Sequence, residues 1–163
     1  MIIVRQNTLT YNDKSYKCAI GKNGITENKV EGDGCTPTGN YSIGCIYYRN
    51  DRINLINPSI KTIPIRKNYG WCDDTKSQYY NKFITFPFDH SAEKLYRDDK
   101  IYDIVCVINY NRYPIIKHKC SAISLHISNH DYSGTEGCIA LKKDDLILLL
   151  SQININTKIN IIS

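Results

Sequence analysis

Residues 121–128 alternate apolar and polar side chains with a period of two, the repeat of an extended strand and not of a helix. Ala122, Ser124, His126 and Ser128 point one way, and Ile123, Leu125 and Ile127 the other. The tail, residues 153–161, repeats this alternation and predicts a half-buried strand that closes the sheet. Residues 101–108 form an apolar, β-branched run, which reads as a central strand covered on both faces. Near the start, residues 8–11 and 16–20 are β-prone and flank the turn-forming cluster Asn12, Asp13, Lys14 and Ser15, predicting a hairpin. One segment reads as a helix, from Lys143 or Asp144 to Leu150, with carboxylates in the first turn where the helix dipole favours them. The expected fold is mostly β with few short helices, in a single domain spanning residues 1–163.

Composition supports a packed core and excludes several classes. At 42% hydrophobic and 23% charged, the chain is neither disordered nor collagen-like. No apolar run approaches the roughly 18 residues of a membrane span, the longest block being residues 146–150, so no membrane span is expected. The net charge of +5 comes from scattered residues, densest at Lys61, Arg66 and Lys67, without the interleaved aromatics of a nucleic-acid platform; no nucleic-acid partner is expected. Residues 1–5 carry no readable export signal. Seven cysteines are an odd number, and no C-x-x-C pair occurs among them, so a structural zinc site is not expected.

Chemistry concentrates in two places. Residues 21–44 hold six glycines around Thr36, Pro37, Thr38 and Gly39, which suits either a loop shaped for close approach or an ordinary surface connection. Downstream, His126 on its strand is followed by a polar loop and then by Gly134, Thr135, Glu136, Gly137 and Cys138. A cysteine nucleophile works as a thiolate, and a nearby imidazole can take its proton. Gly137 would let the backbone turn sharply, so that successive N–H groups face a developing oxyanion. Spacing alone leaves a second reading open, in which Cys138 is a small buried hydrophobe and His126 a hydrogen-bonded strand residue.

These residues resemble the L,D-transpeptidase catalytic domain of the YkuD type. The resemblance rests on His126 followed twelve residues later by Cys138 within the run 133–141, and extends to residues 21–24, 31–39, 48–52, 70–74, 80–81 and 102–103. It implies a YkuD-like β-sandwich or mixed sheet and a peptidoglycan enzyme without metal or cofactor, whose partners are stem peptides. Cys138 would attack the carbonyl of an L-residue in a donor stem, expel the following D-residue and hold the remainder as a thioester. The amine of a second stem, typically of diaminopimelate, would resolve it into a cross-link. His126 would be base and then acid, its ring held by the carbonyl of Ile127, and N–H groups around Glu136, Gly137 and Cys138 would form the oxyanion hole. Hydrogen-bond reach between Cys138 and His126 in a solvent-open groove is expected.

For the substrate, Arg49 and Arg52 are candidates for pairing with stem carboxylates, since guanidinium matches carboxylate bidentately. Trp71 and Tyr80 are candidates for cleft walls, and Asn81 for a hydrogen bond to a peptide backbone. Glu136 replaces a histidine common in relatives; it either orients an attacking ammonium or is a solvated loop charge. Two other outcomes stay open: water resolving the thioester, as in an L,D-carboxypeptidase or endopeptidase, and a non-catalytic wall-binding module. The family's substrate implies the periplasm or cell envelope, and action on cytoplasmic precursors is the alternative. Oligomeric state is not legible.

Overall fold

A computed structural model of the chain describes residues 1–55, 57 and 59–163. Strand β1 (Ile2–Arg5) precedes the expected hairpin, β2 (Thr8–Tyr11) and β3 (Lys14–Ala19), which pair antiparallel. The glycine-rich segment holds a two-stranded parallel pair, β4 (Ile25–Thr26) and β5 (Thr36–Pro37), and leads into the long strand β6 (Gly39–Tyr48). Next come β7 (Thr62–Pro64), β8 (Tyr69–Cys72), β9 (Phe83–Thr85) and β10 (Ala92–Lys94). Last are β11 (Ile104–Ile108), β12 (Ser124–Ile127), β13 (Ile139–Leu141), the helix α1 (Lys143–Gln152) and β14 (Lys158–Ile162).

Nine strands form one sheet in the order β11-β12-β13-β3-β2-β1-β14-β6-β7, and an added pairing of β11 with β6 closes it on itself. Two long strands turn the corners. The first half of β6 pairs with β14 and its second half with β11. Similarly, β3 pairs with β2 along residues 14–17 and with β13 at Cys18 and Ala19. The result is a barrel-like β-sandwich. Its interior is filled by Ile2, Val4, Leu9, Ile46, Ile104, Cys106, Leu125, Ile139 and Leu141, with α1 contributing Leu146, Leu149 and Leu150.

A smaller antiparallel sheet, β10-β8-β9, covers one outer face of this body. Tyr47, Trp71, Leu95, Tyr102, Val105 and Val107 pack there as a second core. The expected two-sided burial of the 101–108 run thus has a concrete cause: Ile104, Cys106 and Ile108 face the sandwich interior, and Val105 and Val107 face the small sheet. That strand starts later than expected, because Ile101 and Tyr102 lie in a turn closed by Asp103 N–H to the Lys100 carbonyl.

The tail departs from expectation in its first half. Only Lys158–Ile162 is strand. Asn154 folds residues 154–157 into a turn: its Oδ1 accepts the Asn156 N–H at 2.9 Å, and its own N–H donates to Thr157 Oγ1 at 3.0 Å. A side chain that bonds the backbone two residues on offers an alternative to the ladder. One helix, rather than a few, is present among the described residues.

Candidate active site

Strands β12 and β13 run parallel, with Leu125 beside Ile139 and His126 beside Ala140. The same register sets Cys138 beside Ser124, whose side chain shares a sheet face with that of His126. Leu125 and Ile127 go to the sandwich core, so Ser124, His126 and Cys138 are turned towards the small sheet. Cys138 and His126 are therefore diagonal neighbours, within side-chain reach of each other.

The resting contacts differ from the expected thiol–imidazole hydrogen bond. The Cys138 thiol donates to the Ala122 carbonyl at 3.2 Å and lies 3.5 Å from Ser124 Oγ. The His126 Nδ1–H donates to the Ile127 carbonyl at 2.9 Å, which leaves Nε2 as the ring's proton acceptor. Both residues are more enclosed than an open groove would leave them, at 9% and 7% exposure. Burial pushes the Cys138 thiol up to about 11, the Glu93 charge adding to the rise while a hydrogen bond with Ser124 opposes it. Burial likewise holds the His126 imidazole down to about 4, against the hydrogen bond to Ile127. At neutral pH both groups are uncharged.

The turn before Cys138 is set by its neighbours. Gly137 has φ +138°, and a Cβ there would stand 2.7 Å from the Cys35 carbonyl oxygen, so only glycine fits. The Gly137 N–H donates to Thr135 Oγ1 at 3.1 Å, and that hydroxyl donates to the Cys138 carbonyl at 2.6 Å. From the other side, Thr36 Oγ1 donates to the Gly137 carbonyl at 2.9 Å while accepting the Gly21 N–H at 2.8 Å. The glycine-rich segment is thus the bed on which the 133–138 turn rests. The Gly137 N–H is thereby engaged, whereas the N–H groups of Glu136 and Cys138 have no acceptor among the described residues.

Cys138 and His126 share a cavity of about 490 Å³, whose walls include Glu31, Asp73, Glu93, Tyr102 and Glu136. Tyr102 presents its ring edge-on to His126 at 5.3 Å between centroids and donates its hydroxyl to Glu93 Oε1 at 2.6 Å. Burial raises the affinity of Glu93 for a proton, and the Tyr102 hydrogen bond opposes it. Asp73 Oδ1 is buried without a hydrogen-bond partner among the described residues. Glu136, at the rim, pairs with Lys22 at 2.5 Å with both side chains largely in solvent. Glu31 and Gly32 are held towards the cavity by Asp33, which accepts the N–H groups of Val30 and Cys35 and pairs with the buried Lys29.

The other expected substrate contacts lie elsewhere. Arg49 is buried: its guanidinium grips Asp51 through two nitrogens, donates to the Arg97 carbonyl and stacks on Tyr96 at 3.7 Å. Arg52 pairs with Asp103 at 2.9 Å and with the Asp98 and Asp99 carbonyls. Asn81, also buried, accepts the Trp71 indole N–H and the Ala122 N–H, both at 3.0 Å, and donates to the Asn111 carbonyl. Tyr80 is buried with its hydroxyl on Glu31. None of Arg49, Arg52, Trp71, Tyr80 and Asn81 lines the cavity; the polar atoms of Arg49, Trp71, Tyr80 and Asn81 are engaged inside the fold, and Arg52 is bound at the surface by Asp103 and two carbonyls. Asn81 and Tyr80 act from behind, fixing Ala122 and Glu31.

Three cavity residues, Glu31, Asp73 and Glu93, and the Cys138 neighbour Ser124 were given no site role from sequence. Ser124 had a local signal, two positions before His126 on the same face of an alternating strand. The carboxylates come from separate segments with no shared motif. Among the described residues no cluster of three or more His, Cys, Asp or Glu could hold a metal ion, and no helix is long and apolar enough to cross a membrane.

No curated protein matches the sequence. Among solved structures the chain is similar to Mycobacterium tuberculosis L,D-transpeptidase 1, with 9% identity and a TM-score of 0.44 over 99% of this chain. The chain spans 59% of that protein's length. The family described as YkuD, L,D-transpeptidase catalytic domain, matches residues 1–161. With that match covering nearly all of its length, the chain belongs to the YkuD family of L,D-transpeptidase catalytic domains.

Proposed function

We propose that the chain is a peptidoglycan L,D-transpeptidase in which Cys138 is the nucleophile and His126 its base. The observation that carries this reading is the shared cavity wall: a thiol next to a glycine turn, and an imidazole whose Nδ1–H is tied to Ile127 so that Nε2 is left to accept a proton. Rotation about χ1 of Cys138 releases Sγ from the Ala122 carbonyl and brings it to Nε2. The thiol proton passes to His126 as sulfur attacks the donor carbonyl, and the N–H groups of Glu136 and Cys138 stabilise the oxyanion. Imidazolium then protonates the leaving amine, giving the thioester. Because the resting pair is neutral, the thiolate forms with the attack, when the substrate displaces water and completes the site.

The acceptor is an amine. Glu31, Asp73, Glu93 and Glu136 give the cavity an excess of carboxylates, which favours a cationic nucleophile over a neutral or anionic one. Stem peptides are the proposed partners and the cell envelope, where they are cross-linked, the proposed compartment.

Intact mass after incubation with a thioester-forming stem peptide or a carbapenem tests the nucleophile. An adduct on the wild type and none on Cys138→Ala is expected. Equal adducts on both would reject Cys138, and no adduct on the wild type would favour a wall-binding module. With defined muropeptides, cross-linked dimers are expected; trimmed monomers alone would assign hydrolysis.

A further inference from the structure

The transfer step has a proton count that one histidine cannot meet. A primary ammonium loses two protons as it becomes an amide nitrogen. One ends on the departing sulfur. His126 has a single vacancy, because its Nδ1–H is committed to Ile127. An acceptor that arrives as an ammonium therefore gives its other proton to water or to a second base in the cavity.

Glu93 is placed to be that base. It stands on β10, in the wall of the cavity that holds Cys138 and His126. One of its oxygens, Oε1, accepts the Tyr102 hydroxyl at 2.6 Å, and the same tyrosine packs its ring against His126. Its other oxygen has no hydrogen bond among the described residues. The charged and titratable groups around it are Arg97, Asp73 and Glu31, with Tyr102 on its oxygen and the Cys138 thiol within reach of its charge. Asp73 and Glu31 strengthen it as a base, Arg97 and Tyr102 temper it, and its cross-strand neighbour Trp71 is apolar cover.

Resting on the transferase reading above, we propose that Glu93 is the acceptor-side base, taking the first proton of the incoming ammonium while His126 takes the second. The free amine attacks the thioester carbonyl, the N–C bond forms and the C–S bond breaks. The second proton passes through His126 Nε2 to the departing Cys138 sulfur, and Glu93 returns the first to solvent. In acylation no ammonium enters, so Glu93 takes no proton there and acts only through the charge it places near the Cys138 thiol.

The test compares wild type and Glu93→Gln, both acylated with a thioester-forming stem tetrapeptide and followed by intact mass. Each is then offered two nucleophiles: a diaminopimelate-containing stem, which is an ammonium at pH 7, and hydroxylamine, which is uncharged there. Glu93→Gln is expected to acylate at least as fast as the wild type, since the charge that opposes the thiolate is gone, to transfer to the stem about 10²-fold more slowly at pH 7, to recover as pH rises towards the acceptor's own pKa, and to match the wild type with hydroxylamine. Equal transfer to the stem at pH 7, or equal losses with both nucleophiles, overturns the assignment alone. A wild type that does not acylate overturns the transferase reading and this assignment with it. Should Glu93→Gln not fold, Tyr102→Phe keeps the carboxylate but removes its donor. It is expected to move the pH profile of stem transfer and to leave hydroxylamine transfer unchanged; an unmoved profile overturns the assignment.

Discussion

The ring of His126 is anchored to the backbone of the residue that follows it, Nδ1 lying 2.9 Å from the Ile127 carbonyl oxygen. A main-chain carbonyl carries no full charge, so it selects the tautomer without stabilising the imidazolium as a carboxylate would. Buried without a counter-ion, the ring is held neutral down to about pH 4.

That burial makes His126 costly in acid. Unfolded, the ring binds a proton below about 6.5, and folded only below about 4. Between these values the unfolded chain holds the extra proton. Stability from this residue is therefore full above 6.5 and falls as pH drops towards 4, by about 3 kcal/mol. Urea unfolding of wild type and His126→Gln at pH 7 and pH 4.5 measures it. The variant is expected to lose less stability on acidification; parallel losses would mean that the ring is already charged in the fold.

The thiol has the opposite dependence. With its pKa pushed up to about 11, only about one molecule in 10⁴ carries the thiolate at pH 7. Alkylation of Cys138 by iodoacetamide, followed by peptide mass, is expected to rise about tenfold per pH unit up to about pH 11. A plateau already reached by pH 7 would reveal a preformed thiolate–imidazolium pair and contradict the neutral resting state.

Gly137→Ala places a methyl against the Cys35 carbonyl and forces an L-residue to φ +138°. A loss of about 3 kcal/mol is expected, seen as a fall of about 10 °C in Tm. Acylation of the molecules that remain folded should slow as well, since the same turn aims the N–H groups of the oxyanion site. A variant as stable and as fast as the wild type would show the turn to be adaptable.

Arg49→Ala separates a structural arginine from a substrate-binding one. The guanidinium is buried among Asp51, Tyr96 and the Arg97 carbonyl, so its removal should lower stability by about 2–3 kcal/mol. The KM for donor stems should not change at a temperature where the variant is folded. A raised KM with unchanged Tm would return Arg49 to the binding site.

What could be read in advance was local. The hairpin of β2 and β3 announced itself through a turn cluster between β-prone runs, and His126 and Cys138 through one continuous motif. The closing of the sheet is not local: it depends on β6 passing from β14 to β11, sixty residues downstream, and no periodicity encodes that. The carboxylate wall fails for the same reason, since Glu31, Asp73 and Glu93 meet only once the small sheet docks. Arg49 and Arg52 are engaged by carboxylates of the chain itself, and one of these was visible locally. Asp51 lies between them in sequence, and a guanidinium two residues from a carboxylate often finds it first.

With β6 paired to β11, the nine-stranded sheet keeps only the three-residue strand β7 as a free margin, so this closure guards against edgewise accretion as well as completing the architecture. It also ties the two ends of the ring together. Peeling one strand bares two new margins at once, so the amides of Ile46 and Tyr47 should be among the last to exchange with deuterated solvent.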